Sequence, residues 1–226
     1  MNEIEIRASV ELPSIREEFV LHTADGLNLV GELALPVNRE PVATLVTLHP
    51  LPTHGGFMDS HILRKASNRL PELADIAVMR FNTRGTTSPR GTSEGEFGAG
   101  ITESADVAAA VQWAEQRGLK DLWLLGWSFG TELALKYGRD KNVRGIILLS
   151  PPLHRTSEQE VAAWSESDKR VIALIPEFDD YLKPDEARER FAAIKHIELI
   201  AVDGAKHLWV GENATKRVLD EIVRAL

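Results

Sequence analysis

Residues 122–130 read Leu-Trp-Leu-Leu-Gly-Trp-Ser-Phe-Gly. Leu122–Leu125 is a short apolar run, which is typical of a strand buried on both faces. The segment Phe129–Tyr137 is followed by Gly138, a pattern that predicts a short helix ending at a glycine. The G-x-S-x-G pattern Gly126–Gly130 therefore joins a strand to a helix, and this context is typical of a nucleophile elbow.

Ser128 lies at the centre of this predicted turn. Side chains two residues away on either side would collide with the strand and the helix, and Gly126 and Gly130 avoid that collision. The turn projects the Ser128 hydroxyl above the sheet edge, at a helix N-terminus whose dipole favours developing negative charge. The sequence therefore predicts Ser128 as a nucleophile.

Apolar runs and helical segments alternate along most of the chain. The first two runs flank Ala24-Asp25-Gly26, and Asp-Gly between β-patterned runs predicts a hairpin. The alternation predicts an α/β fold with a doubly wound, mostly parallel eight-stranded sheet, an antiparallel N-terminal hairpin and helices on both faces. The predicted strands are Glu17–Thr23, Leu27–Leu35, Ala43–His49, Ala77–Asn82, Leu122–Trp127, Val143–Ser150, Val171–Ile175 and Ile197–Val202. The predicted helices are His61–Leu73, Thr102–Arg117, Phe129–Tyr137, one that opens at Pro184, and Thr215–Leu226.

The chain is predicted to form one domain over residues 1–226, since it has no repeat, low-complexity tract or linker. Its loosest stretch, Thr83–Gly100, is rich in glycine, serine and threonine and lies between a predicted strand and a predicted helix. We interpret it as a functional loop that shapes the site rather than as a domain boundary.

Composition excludes several classes of function. The 34 acidic and 26 basic residues give a net charge of −8, and no basic stripe offers a surface for nucleic acid. Because cysteine is absent, disulfides, thiolate metal sites and a cysteine nucleophile are excluded, and we expect no metal. No apolar run approaches the roughly 20 residues of a membrane helix, and Met1–Ile6 carries acid where a signal peptide carries base. We expect a cytoplasmic protein without a membrane partner.

A serine hydroxyl is a weak nucleophile, so it needs a base and an acid that orients the base. The usual chain order after such an elbow is serine, acid, histidine. Among seven histidines, His207 alone combines a late position with a loop that follows the last predicted strand. The acid is expected after Val171–Ile175. Asp179 is our choice, Asp180 is the next candidate and Glu177 is the third, and the choice between the two aspartates stays open.

An oxyanion hole needs two backbone N–H groups aimed at one point. Phe129, the residue after the serine, is predicted to supply one. The other is expected from the turn after the third predicted strand. There Pro50 and Pro52 have no N–H, so Leu51 is the predicted donor. His49 is expected to hold this turn by packing or by a hydrogen bond.

The site is expected to be open, because only about 20 residues separate Ser150 from Val171 and so short a segment forms no sizeable cap. Four aromatic residues are candidate contacts of an apolar acyl or alkyl pocket: Trp127, Phe57, Phe178 and Trp209. The alternative is that some of them, Trp127 above all, are core aromatics.

Several segments besides the elbow carry a resemblance to a known family. They are His49-Pro50 as an oxyanion turn, Arg80–Gly85 with Ser88 and Gly91 as an F-N-x-R-G-x-G-x-S segment, and Gly204–His207 as a G-A-x-H histidine loop. With these segments the chain resembles the α/β-hydrolase superfamily over nearly its whole length. Within that superfamily it is similar to the small uncapped members, the dienelactone-hydrolase-like esterases and acyl hydrolases.

The resemblance implies Ser128 as nucleophile, Asp179 as acid and His207 as base. The chain departs from the family at three points. Pro176 stands where the acid loop usually has glycine, and Thr86 replaces the usual glycine of the arginine segment. The true dienelactone hydrolases use a cysteine nucleophile, which this chain lacks, so that activity is disfavoured while the fold is not.

These features predict a serine hydrolase that cleaves ester or thioester bonds of small substrates through an acyl-enzyme intermediate and without a cofactor. Two alternatives stay open. One is a non-catalytic module of the same fold that binds a ligand or a protein. The other is an enzyme with the same three residues that performs peptide cleavage, acyl transfer or perhydrolysis. The sequence indicates no oligomeric state.

Overall fold

A computed structural model describes residues 9–226. The segment Met1–Ile6, on which the cytoplasmic prediction partly rests, lies outside the described residues. Within the described range, no helix has the length and the apolar character needed to cross a membrane.

Strands and helices follow each other in the predicted order. The strands are Ile15–His22 (β1), Asn28–Leu35 (β2), Ala43–Leu48 (β3), Ile76–Phe81 (β4), Thr87–Ser88 (β5), Gly91–Thr92 (β6), Leu122–Trp127 (β7), Val143–Leu149 (β8), Arg170–Phe178 (β9) and Glu198–Lys206 (β10). The α-helices are His61–Ala74 (α1), Ser104–Gln116 (α2), Phe129–Tyr137 (α3), Glu158–Ala162 (α4), Pro184–Arg190 (α5) and Glu212–Ala225 (α6).

Eight strands form one sheet in the order β1-β2-β4-β3-β7-β8-β9-β10. β2 runs antiparallel to β1 and β4, and every other neighbouring pair in this sheet is parallel. The predicted α/β-hydrolase architecture is confirmed, with its antiparallel N-terminal hairpin and without a large cap. The carboxyl ends of β3, β7, β8, β9 and β10 therefore meet at one edge of the sheet, where α/β folds place their ligands.

Helices cover both faces of the sheet. Side chains of a strand alternate between faces, and in β3 Val46 and Leu48 join one core cluster while Leu45 joins the other. α2 and α3 pack into the first cluster, and α1 and α6 pack into the second. Both clusters consist of fully or nearly fully buried apolar side chains, so the central strands β3, β4 and β7 are buried on both faces, as their continuous apolar runs predict.

Three boundaries differ from the predicted ones by three residues or more. β9 continues beyond Ile175, and β10 continues beyond Val202, because the two strands pair again at Lys206 and Phe178 after a shift in register. Both extensions contain polar residues, so they do not stand out as apolar runs in the sequence. α6 begins at Glu212, one turn before the predicted start, and this polar first turn forms ion pairs with α1.

A buried ion cluster ties the N-terminal hairpin to the central sheet. The guanidinium of Arg80 in β4 is fully buried and pairs with Glu32 in β2 and with Asp59. Arg90 joins the same two carboxylates, at 2.7 Å from Glu32 Oε2 and 3.0 Å from Asp59 Oδ2. The cluster therefore connects the segment between β3 and α1 to β2 and β4.

We predict that Arg80→Met lowers the free energy of unfolding by about 3 kcal/mol, because it removes the fully buried guanidinium and leaves Glu32 and Asp59 with only the more exposed guanidinium groups of the cluster. Arg144→Met is the matched control, since Arg144 pairs with Asp121 at an exposed site, and it should cost less than about 1 kcal/mol. Urea unfolding measures both. Equal losses in the two variants would contradict a structural role for the buried cluster.

Candidate active site

The turn between β7 and α3 holds Ser128 in a backbone conformation that is rare for a residue with a side chain, with φ 52° and ψ −117°. A Cβ at Gly126 would lie 2.4 Å from the carbonyl oxygen of Gly130, and a Cβ at Gly130 would lie 2.0 Å from the carbonyl oxygen of Leu48. Only glycine fits at both positions. The close packing of β3, β7 and α3 thus requires the G-x-S-x-G pattern.

Ser128, His207 and Asp179 form one chain of hydrogen bonds. His207 Nε2 lies 2.9 Å from Ser128 Oγ, and His207 Nδ1 lies 2.9 Å from Asp179 Oδ2. A carboxylate accepts hydrogen bonds, so Nδ1 carries the proton and Nε2 is free to accept from the serine hydroxyl. Asp179 Oδ1 accepts the backbone N–H groups of Tyr181 and Leu182, at 2.8 and 3.2 Å.

The environment of Asp179 keeps its carboxylate charged. Burial opposes ionisation, but the hydrogen bonds from His207 and from the N–H of Tyr181 outweigh it, and the pKa of Asp179 is lowered from its ordinary value. The other two candidate acids lie elsewhere: Asp180 is exposed, and Glu177 accepts the N–H of Gly204 at 2.7 Å. Of the three acids, the structure brings Asp179 to the imidazole.

Three hydrogen bonds from distant parts of the chain hold the loop that carries His207. The indole N–H of Trp127 and the hydroxyl of Ser150 donate to the carbonyl oxygen of His207, both at 3.2 Å. His61 Nε2–H donates to the carbonyl oxygen of Leu208 at 2.6 Å. Sequence reasoning missed Ser150 and His61, because no local pattern indicates a contact with so remote a backbone group.

Leu51 and Phe129 line the same cavity as Ser128 and His207. Within residues 9–226, neither of their N–H groups has a backbone acceptor among the turns and loops. The carbonyl oxygen of Leu51 accepts the N–H groups of His54 and Gly56, both at 3.0 Å, which fixes the turn that carries the Leu51 N–H.

His49 holds the turn after β3 to the segment after β4. Its Nδ1 lies 2.7 Å from the carbonyl oxygen of Pro50 and must donate, so Nε2 accepts the N–H of Thr83 at 3.1 Å. Because Nε2 can accept only when it carries no proton, the bond from Thr83 requires the neutral ring. Complete burial lowers the pKa of His49 from its ordinary 6.5 to about 4, against the opposing effect of the hydrogen bond to Pro50.

This burial makes stability depend on pH. Between pH 6.5 and about 4, His49 binds a proton in the unfolded chain but not in the folded one, so its contribution is lost as the pH falls through that window. We predict that His49 alone lowers the free energy of unfolding by about 2 kcal/mol between pH 7 and pH 5. Urea unfolding of His49→Gln should show a pH dependence shallower by that amount. His196→Gln, which changes an exposed histidine, should retain the full dependence, and equal curves for all three proteins would contradict the assignment.

The cavity above Ser128 has a volume of about 340 Å³. Its apolar wall consists of Pro50, Leu51, Phe129, Pro152 and Leu208. Its polar wall consists of His54, Ser128, His154, Arg155, Tyr181 and His207. The Tyr181 ring meets the imidazole of His207 edge to face, with centroids 4.6 Å apart. Sequence reasoning missed Arg155 and Tyr181, although each lies in a loop that follows a parallel strand at this edge of the sheet.

The four aromatic residues predicted to contact substrate do not line this cavity. Trp127 and Trp209 are buried in the core on one face of the sheet, as the alternative reading of core aromatics anticipates. Phe178 is half-exposed outside the cavity, and Phe57 also lies outside it. The loop Thr83–Gly100, expected to shape the site, contributes no lining residue either, because much of it folds back into the small hairpin of β5 and β6.

A larger groove of about 640 Å³ lies between α1 and α6. Leu73 and Val223 are exposed apolar residues at its edge. Neither serine nor histidine is among its lining residues, so the chemistry indicated above belongs to the smaller cavity.

Comparison with known proteins shows the family of the fold. A family model described as the α/β hydrolase fold matches residues 52–207, a range that contains Ser128, Asp179 and His207. A Rickettsia prowazekii protein of uncharacterised function is 24% identical over 194 residues, which cover 81% of this chain and 79% of the relative.

Two solved structures are similar over nearly the full chain. An α/β serine hydrolase homologue from Coxiella burnetii has a TM-score of 0.79 and 25% identity, over 93% of this chain and 97% of that one. An α/β serine hydrolase without a lid from Xanthomonas campestris has a TM-score of 0.72 and 26% identity, over 95% of this chain and 93% of that one. The chain belongs to the α/β hydrolase fold family.

Proposed function

We propose that the protein is a serine hydrolase that cleaves carboxylic ester or thioester bonds of small substrates, with Ser128, His207 and Asp179 as its catalytic triad. The hydrogen-bonded chain from Ser128 Oγ through the imidazole to the buried carboxylate carries this proposal. The hydrolase fold of the family and the serine hydrolases among its structural neighbours support it.

In the proposed mechanism, Ser128 Oγ attacks the substrate carbonyl while His207 Nε2 takes its proton. Asp179 holds the ring in the required tautomer and stabilises the imidazolium. The N–H groups of Leu51 and Phe129 bind the oxyanion of the tetrahedral intermediate. His207 then protonates the departing alcohol or thiol, and water attacks the acyl-enzyme by the same route, releasing the acid and restoring the serine.

The shape of the site favours small substrates. The segment between β8 and β9 contains only α4 and a short 3-10 turn, so no helical cap covers the cavity. The volume of about 340 Å³ lies at the lower end of the range for small-molecule sites. The likeness to the lidless hydrolase from Xanthomonas campestris supports the same reading.

We predict that Ser128→Ala lowers kcat for a short 4-nitrophenyl ester by about 10⁴-fold or more, because the nucleophile is lost while the oxyanion donors remain. Ser165→Ala changes an exposed serine that does not line the cavity, and it should retain the native activity. A fluorophosphonate probe should label the native protein and leave Ser128→Ala unlabelled. Hydrolysis at the native rate by Ser128→Ala, or no labelling of the native protein, would favour a binding module.

The two adjacent aspartates allow a matched test of the acid. Asp179→Asn should lower kcat by about 10³–10⁴-fold, because an amide favours the wrong imidazole tautomer and cannot stabilise the cation. Asp180→Asn changes the neighbouring exposed carboxylate and should stay within about two-fold of the native rate. Steady-state kinetics on the same ester compare the two, and a larger loss in Asp180→Asn would overturn the assignment of Asp179.

A further inference from the structure

Arg155 is a basic residue in the wall of the cavity that contains Ser128. Its Cζ lies 5.7 Å from the ring centroid of Phe129 and 6.0 Å from that of Phe97. Because Phe129 directly follows the serine, the cation stands next to the residue whose N–H is the proposed oxyanion donor.

Within the described residues, one carboxylate pairs with Arg155, and it contacts only one nitrogen atom of the guanidinium. Arg155 Nη1 lies 3.5 Å from Glu132 Oε2, while Glu132 Oε1 accepts the backbone N–H of Arg155. Glu132 is fully buried, whereas 31% of the Arg155 side chain is exposed. A guanidinium has five N–H donors, so this single long contact leaves most of them available to a ligand in the cavity.

The rest of the cavity wall carries no negative charge. His54, His154 and Tyr181 contribute polar groups, and no aspartate or glutamate is among the lining residues. The protein as a whole has a net charge of −8. Arg155 is therefore the one arginine or lysine among the lining residues of this cavity, and no carboxylate of the wall competes with a ligand for it.

On the basis of the proposed hydrolase function, we propose that the preferred substrates are esters or thioesters that carry a second, ionised carboxyl group, which Arg155 binds. A guanidinium and a carboxylate match in geometry, and their charge-assisted hydrogen bonds are stronger than neutral ones. Glu132 holds Arg155 from the buried side and leaves its exposed side to the substrate.

The test compares two esters of equal chain length. The acyl chain of 4-nitrophenyl hydrogen adipate ends in a carboxylate, and that of 4-nitrophenyl hexanoate ends in a methyl group. The native protein should prefer the adipate by about ten-fold or more in kcat/KM. A second pair, 4-carboxyphenyl acetate and 4-carbamoylphenyl acetate, places the carboxylate on the alcohol side. A preference in the first pair assigns the carboxylate to the acyl part, and a preference in the second assigns it to the alcohol part.

Arg155→Gln should lower the ratio of kcat/KM for the anionic ester to kcat/KM for the neutral ester to about one. This variant leaves Glu132 buried without its partner, so it is accompanied by the double variant Glu132→Gln/Arg155→Gln, which removes both charges and keeps hydrogen-bonding groups at both positions. Arg155→Lys should restore part of the preference, since it restores the charge without the fork of donors.

Three results would overturn the inference. The first is that the native protein hydrolyses both members of each pair at equal rates. The second is that the double variant loses kcat/KM equally for charged and neutral esters. The third is that the preference for the charged ester survives the loss of Arg155. Hydrolysis of the hexanoate that depends on Ser128 shows whether the proposed function holds apart from this inference. If the native protein hydrolyses no ester of either pair, the proposed function fails, and the inference fails with it.

Discussion

The close contact of three backbones at the end of β7 is the constraint on which the site depends. Gly130 packs against the carbonyl oxygen of Leu48, and Gly126 packs against Gly130, at distances that admit no Cβ. This packing forces Ser128 to a positive φ and directs its hydroxyl away from the sheet. Since β3 and β7 are neighbours at the centre of the sheet, the same contact brings the turn of Leu51 beside the serine.

The partners of Ser128 lie in loops at the same edge of the sheet. Asp179 follows β9 and His207 follows β10. Because these two strands pair in parallel, both residues lie at the same end of the strands. Hydrogen bonds from Trp127, Ser150 and His61 then hold the histidine loop, while His49 holds the turn after β3. The side chains that make these bonds are not among the lining residues of the cavity, yet they hold the segments that carry its reactive atoms.

The sequence was sufficient for the parts of the protein that local patterns determine. Apolar runs predicted the eight strands of the main sheet in their order along the chain. The glycines around Ser128 predicted the elbow. The sequence could not choose between Asp179 and Asp180, because one residue along a loop decides which carboxylate faces the imidazole. Trp209 was misplaced for a related reason: it lies near the site in sequence, but its side chain points into the core. The side chain of Trp127 also lies in the core, as the alternative stated for it predicts. Arg155 was missed because it becomes a cavity residue only when the loop after β8 is placed beside α3.

The most direct test of this account is a crystal structure of the protein after reaction with a small fluorophosphonate. We predict a covalent bond between phosphorus and Ser128 Oγ, with the phosphoryl oxygen about 2.7–3.1 Å from the N atoms of Leu51 and Phe129. His207 Nε2 should remain within hydrogen-bonding distance of Oγ. Phosphorus attached to another residue, or a phosphoryl oxygen that faces away from both N–H groups, would contradict the account.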